Sequence, residues 1–312
     1  MKQNLPFLFL IFLGLTTCTK EETRPTFPLS AEIFHSVAGK QVAFTALSHS
    51  AVSWNWDFGD GTTSAEKNPV HAYEEGGYFI ATLTAQDGAG NTVTKEVKLA
   101  IELTPYALLT GDHTADDYQG KTWKLTADHS TGGDYFANAN AALTVVSGTP
   151  QPLPTGIFDL EFAMGDLYKD EFTFHYDGSY EHDVKEDGGS FGGYVFELVS
   201  TGGAGMINDN GKDYGLCIAE YAPETDATFT YSENEDLVVP SVYGAGGIIT
   251  FEDVMTLDFS GTEFIGFRDF QRKVIVNSIS DTKMQLIMFM AASPGDLPKN
   301  THALILSFDA VQ

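Results

Sequence analysis

The sequence predicts an all-β protein of two domains. Alternating apolar and polar runs recur at short intervals and end in Gly-, Asp- or Asn-bearing turns. Gly (31), Phe (23) and Tyr (13) are plentiful while Lys plus Arg number 17, a composition of turns and strands rather than helices. At 312 residues the chain is too long for one small sandwich and fits two domains.

The first residues read MKQNLPFLFLIFLGLTTC. Lys2 is a short positive start, and Leu5 to Leu15 is an apolar stretch of signal-peptide length, too short to span a bilayer. Leu15-Thr16-Thr17-Cys18 then resembles the lipobox of bacterial lipoproteins. The resemblance implies that residues 1–18 hold the signal peptide and lipobox, cut before Cys18, and that the Cys18 thiol is acylated. Each buried methylene of such an anchor adds about 0.8 kcal/mol, so membrane contact is expected through the lipid alone. Thr19-Lys20-Glu21-Glu22 is similar to the surface-export signal of Bacteroidetes lipoproteins, which implies an outer-membrane protein exposed on the cell surface. Residues 19–28, polar and proline-bearing, read as a flexible tether.

With Cys18 acylated, Cys217 has no partner in the chain and is expected as a buried structural thiol. The formal net charge of −26 argues against nucleic acid, whose binding rests on cations that neutralise phosphates. The same repulsion disfavours uronate and sulfated glycans.

Within 29–102, strands are expected at Gln41 to Leu47, Val52 to Phe58, Tyr78 to Gln86 and Val93 to Ile101. Trp54, Trp56 and Phe58 share one face, as do Phe79, Ala81, Leu83 and Ala85. Trp56-Asp57-Phe58-Gly59-Asp60-Gly61, Asn68-Pro69-Val70-His71-Ala72-Tyr73 and Gly77-Tyr78-Phe79-Ile80-Ala81-Thr82-Leu83 together resemble the PKD domain in order and spacing. The resemblance implies an immunoglobulin-like sandwich over 29–102, serving as a spacer or interaction module. Asp57 and Asp60 are expected to tie turn amides rather than hold calcium, and His71 to be a turn residue rather than a ligand.

Residues 103–118 have no period and read as a linker; 119–312 read as a larger antiparallel domain, a β-sandwich or a lipocalin-like barrel. Its strands are expected at Glu171 to Tyr176, around Met255, Leu257 and Phe259, at Glu263 to Phe267, Lys273 to Val276, Lys283 to Ala291 and His302 to Phe308. Asp177-Gly178 marks a hairpin. A loop with left-handed Gly178 sets Phe174 opposite Tyr180 and Phe172 opposite His182, which matches the apolar faces. The run QLIMFMAA, apolar on both sides, suits a central strand. Lys121-Thr122-Trp123-Lys124-Leu125, then Phe-x-x-Asp-Gly-x-Tyr, is similar to lipocalin-like domains of Bacteroidetes lipoproteins and to domains following PKD modules in surface glycan-binding proteins of polysaccharide-utilisation systems. Where those proteins often carry a Trp pair, this chain has Tyr135-Phe136.

No Gly-x-Ser-x-Gly elbow, His-Glu-x-x-His or zinc-holding Cys pair is present, and Phe251 to Phe259 lacks the spacing of a paired-carboxylate strand. Asn208 to Asp213 lacks a calcium loop's spacing, and His175 and His182 are not expected to share a metal. The expectation is a non-catalytic protein without cofactor or structural calcium. Sugar rings stack apolar faces on aromatics, so Tyr135, Phe136 and Asn138 are the first binding candidates, with Tyr168, Tyr194 and Tyr214 next; Trp123 is expected in the core. The resemblances then imply a surface lipoprotein that binds a polysaccharide, a neutral glycan on charge grounds, beside an outer-membrane importer complex. The alternatives are an adhesin or envelope subunit that binds protein, a lipocalin-like carrier, and a glycosidase.

Overall fold

The computed structural model describes residues 27–311. The expected signal peptide, Cys18 and most of the expected tether lie outside the described residues.

The N-terminal domain is a two-sheet sandwich. Strands β1 (Ser30–Ala38), β2 (Gln41–His49), β3 (Ala51–Asp57), β4 (Thr63–Ser64), β5 (Val70–Ala72), β6 (Gly77–Asp87) and β7 (Thr92–Ile101) divide into sheets of order β1-β2-β5 and β4-β3-β6-β7. Period-two alternation turns Val42, Phe44 and Ala46 inward from one sheet, and Trp56, Ala81, Leu83 and Ala85 from the other. Trp56 is fully buried between them, with its ring 5.0 Å from that of Phe44.

The connector is shaped rather than slack. Helix α1 (Pro105–Thr110) starts at Thr104, whose hydroxyl accepts from the Ala107 amide at 3.2 Å. Pro105 opens the first turn and Gly111, at φ +82°, ends the helix. The Leu109 carbonyl accepts from the Trp123 indole at 3.0 Å, and the Leu108 carbonyl from Lys121 at 2.8 Å, so the helix is fastened to the second domain. Residues 103–118, read from sequence as a linker, contain this capped helix.

The larger domain contains β8 (Lys121–Leu125), α2 (His129–Gly132), β9 (Tyr135–Asn138), α3 (Ile157–Phe162), β10 (Glu171–Phe174), β11 (Tyr180–Asp183), β12 (Gly189–Gly193), α4 (Tyr194–Thr201), β13 (Met206–Asn208), β14 (Leu216–Glu220), β15 (Phe229–Pro240), β16 (Ile248–Phe259), β17 (Val274–Ile279), β18 (Lys283–Met290) and β19 (His302–Ala310). The main sheet runs β11-β10-β8-β19-β18-β17-β16-β15, with β9 also paired to β19; β12-β14-β13 forms a smaller sheet. A bridge between Ser179 and Thr228 links the start of β11 to the start of β15, so the sheet curls until its edges meet. The fold is all-β: a small immunoglobulin-like sandwich followed by a larger curled antiparallel β-sandwich. Its core holds Trp123, Phe172, Phe174, Leu257, Leu286, Leu306 and Phe308.

The β10–β11 hairpin pairs Phe174 with Tyr180 and Phe172 with His182, with Gly178 at φ +90°, the register expected from the apolar faces. Strand β18 is central and buried from Leu286 through Met290. The segment Glu263 to Phe267, expected as a strand, is irregular. Gly266 at φ +68° breaks extension there, and Phe264, Ile265 and Phe267 are all buried without forming a ladder. Helices α3 and α4 were not expected. Both are short; α3 (IFDLEF) carries Ile and two Phe, and α4 (YVFELVST) carries Tyr, Phe and two Val, residues that favour strands in isolation.

Candidate functional site: a tyrosine-lined cleft between the domains

The aromatic residues singled out from sequence do not converge. Tyr135, Phe136 and Asn138 are strand residues of β9, not loop residues. Phe136 is 9% exposed and belongs to the main core, while Tyr135 packs against a second cluster with Ile305 and Phe289. Asn138 donates to Thr144 and accepts from the Tyr243 hydroxyl at 2.9 Å. Tyr168 sits over His129: its hydroxyl lies 2.9 Å from His129 Nε2, and His129 Nδ1 lies 2.8 Å from the buried Asp134. Tyr194 is half-buried at the start of α4. Tyr214 is exposed and leans on Phe162 at 5.3 Å. Trp123 is fully buried.

Several polar groups have structural partners. Asp57 accepts from the Gly59 amide at 2.9 Å and Asp60 from the Thr62 amide at 3.0 Å, closing the Gly59–Gly61 turn. His71, in β5 rather than in a turn, lies 2.6 Å from Asp60 and stacks on Phe58 at 4.1 Å. His182 faces Glu263 at 3.3 Å, whereas His175 faces Glu181 at 3.1 Å. Asn208 and Asn210 both donate to the Phe162 carbonyl. Among the described residues no group of three His, Cys, Asp or Glu side chains has the geometry to hold a metal ion.

A concave feature lies between the two domains. It is a cleft of about 970 Å³, a size that suits a small organic ligand or a few sugar units. The first domain supplies Lys40, Asp60 and the β5–β6 segment through Tyr73, Glu74, Glu75, Tyr78 and Phe79. The second wall is α1 with Tyr106, the hairpin turn with Tyr176, and β15 with Tyr231 and Glu233. At the junction Gly76 is pressed against the connector: a Cβ built there would lie 1.8 Å from the Glu102 carbonyl oxygen, so only glycine fits.

The rings are held in place by one another. Tyr106 donates from its hydroxyl to the Tyr176 carbonyl at 2.8 Å, and its ring meets those of Tyr176 and Tyr231, each at 5.7 Å. His113 stacks on Tyr176 at 3.6 Å and meets the Tyr78 ring edge-on at 6.5 Å, linking the two walls. Burial holds His113 below the ordinary histidine range, so this link is neutral near pH 7. Burial, reinforced by the charge of Glu233, pushes the Tyr231 hydroxyl up to about 12, and that hydroxyl is occluded with no protein partner. Tyr176 remains 46% exposed, and Glu74, Glu75 and Glu233 are exposed on the rim.

Sequence reading missed this site because its parts are scattered from Lys40 to Glu233 and converge only through the packing of two domains. The available signal was local. Tyr106 and Tyr176 stand in polar or turn-rich segments, where an aromatic ring needs a partner.

Residues 31–101 match the PKD domain family, and this part of the chain is a PKD domain. Collagenase ColA of Bacillus cereus is 29% identical over 101 residues, which are 31% of this chain and 10% of the collagenase. The chain thus spans about a tenth of that relative's length. The crystal structure of the PKD1 domain from Vibrio cholerae metalloprotease PrtV is 30% identical and covers 25% of this chain and 100% of that one, with a TM-score of 0.24. A solved structure reported for the promiscuous specificity of carbohydrate-binding modules of the β-sandwich superfamily covers 93% of this chain and 94% of that one, at 12% identity and a TM-score of 0.26.

Proposed function

We propose that this protein is a non-catalytic binding protein of the cell surface, whose ligand is a polysaccharide free of acidic groups held in the interdomain cleft. The observation that carries the reading is the cleft itself: tyrosine rings from both domains, fixed by mutual contacts, with carboxylates at the rim. Pyranose rings offer apolar C–H faces to such tyrosines and hydroxyls to such carboxylates. The PKD domain then forms one wall of the binding site instead of acting as a plain spacer. Acylated Cys18 would hold the protein at the outer membrane beside an importer that takes up the captured glycan.

Affinity electrophoresis against a panel of polysaccharides tests this. Migration should be retarded by at least one uncharged or amine-bearing glycan and restored by Tyr176→Ala combined with Tyr78→Ala, with thermal melting as the folding control. Absence of retardation throughout the panel, or release of reducing sugar from any member, would overturn the proposal. Mass spectrometry of the mature N-terminus checks the anchor: an unacylated Cys18 removes it.

One observation favours a second reading, adhesion to protein. Phe34, Leu47 and Val70 share the outer face of the β1-β2-β5 sheet and are 62%, 52% and 61% exposed. Loss of cell-surface protein binding on Phe34→Ser and Leu47→Ser, with glycan binding absent, would place adhesion first.

A further inference from the structure

We infer that the glycan taken by the cleft is cationic: an amino-sugar polymer carrying free, protonated amines. This rests on the cleft being the glycan site, and specifies which glycan chemistry it selects.

The charge at the cleft is one-sided. Asp60, Glu74, Glu75 and Glu233 line it against Lys40 and His71. Asp60 is satisfied by His71 and Thr62. The Lys40 ammonium is turned to the backbone carbonyl of Glu74, at 2.9 Å. Among the described residues no Lys, Arg or His lies within ion-pair distance of Glu74, Glu75 or Glu233. The cleft rim thus holds three carboxylates without a counter-charge.

The polar lining also holds no side-chain amide. Hydroxyls are commonly met by amides, which both donate and accept, yet no Asn or Gln lines the cleft. Apart from backbone, two threonines and tyrosine hydroxyls, its polar groups are ionisable. Tyrosine faces add a second attraction for the same ligand. An ammonium over such a ring is attracted by the ring quadrupole, more strongly as water is excluded. The formal charge of −26 on the whole chain would draw a polycation toward the surface and repel a polyanion. A bare metal ion is a poor fit, because no trio of ligating side chains is assembled among the described residues. A polymer with amines on successive rings can instead meet carboxylates on both walls while its ring faces lie on Tyr176 and Tyr78.

Titration calorimetry on the full chain separates the possibilities. The probes are a deacetylated chito-oligosaccharide, the same oligosaccharide after complete N-acetylation, and an oligolysine peptide. The amine form should bind about tenfold tighter than its acetylated twin at low salt, and the gap should close at roughly 0.5 M salt as the carboxylates are screened. Glu75→Gln with Glu233→Gln should close the gap by lowering the amine form's affinity toward that of its acetylated twin; Tyr176→Ala should weaken both. Equal or tighter binding of the acetylated twin overturns the cationic preference and leaves the glycan-binding proposal intact. Binding of oligolysine alone, or of no glycan, overturns both.

Discussion

Replacing Asp170 with asparagine should stabilise the protein by an amount that grows with pH. The Asp170 side chain is 2% exposed, one oxygen receives only a 3.5 Å bond from Ser190, and the other has no partner. Burial, reinforced by the nearby charge of Asp187, pushes its pKa from 3.8 up to about 8. In the unfolded chain the carboxyl ionises near its ordinary value, so between about pH 4 and pH 8 folding takes up a proton. Stability from this group is therefore full at low pH and is lost as pH rises toward the folded pKa, by about 1.4 kcal/mol per unit. Between pH 5 and pH 7 the loss is about 3 kcal/mol. Asp170→Asn keeps the shape and removes the titration, so its advantage over the parent should widen by about 3 kcal/mol across that interval. Carboxylates held below their usual range, such as Asp183 beside Lys185, act in the opposite sense. Their contribution is present above the unfolded pKa, is lost as pH falls through the folded one, and cancels when the two proteins are compared. Urea unfolding of both at pH 5, 6, 7 and 8 measures the difference. Parallel stability curves would refute the claim that this carboxyl is protonated in the native state.

Two further outcomes follow from buried groups. Cys217 is fully buried, donates weakly to the Gly192 carbonyl, and is pushed up to about 12 by burial, reinforced by the charge of Glu197. With Cys18 acylated or replaced, a thiol reagent at pH 8 should react only as fast as the protein unfolds; rapid stoichiometric labelling of native protein would contradict that placement. The Tyr231 hydroxyl is occluded and unpartnered, so Tyr231→Phe should be neutral or stabilise by up to about 1 kcal/mol in thermal or urea melts, and a loss larger than that would show a bond the geometry does not contain.

Strands were legible in the sequence wherever one face is buried and the other wet. The β10–β11 hairpin is the clearest case. Phe172 and Phe174 alternate with polar residues, Asp177-Gly178 sets the turn, and only one register places aromatic opposite aromatic. The Trp56 to Gly61 motif was legible for a related reason, since its aspartates close turns through contacts two residues away. Glu263 to Phe267 misled because a short apolar run is buried equally well as strand or irregular chain, and the left-handed Gly266 decided for the latter. Helices α3 and α4 were hidden because packing around Phe158 and Val195 outweighs the strand preference of their side chains. Phe136 shows the limit for binding residues. An aromatic in an unpatterned stretch reads the same whether it meets a ligand or, as here, fills the core beside Phe158 at 6.2 Å.

The capped helix between the domains bears on mechanics. Its carbonyls are tied to Trp123 and Lys121, and residues just beyond it reach back to the first domain through the Lys98–Asp116 pair at 2.7 Å. Tension applied between the N-terminus and the second domain would thus run through a braced strut instead of a slack cord. A load on the second domain would pass through that strut along with the strands, and the gap between the two walls would hold its width until those bonds give way.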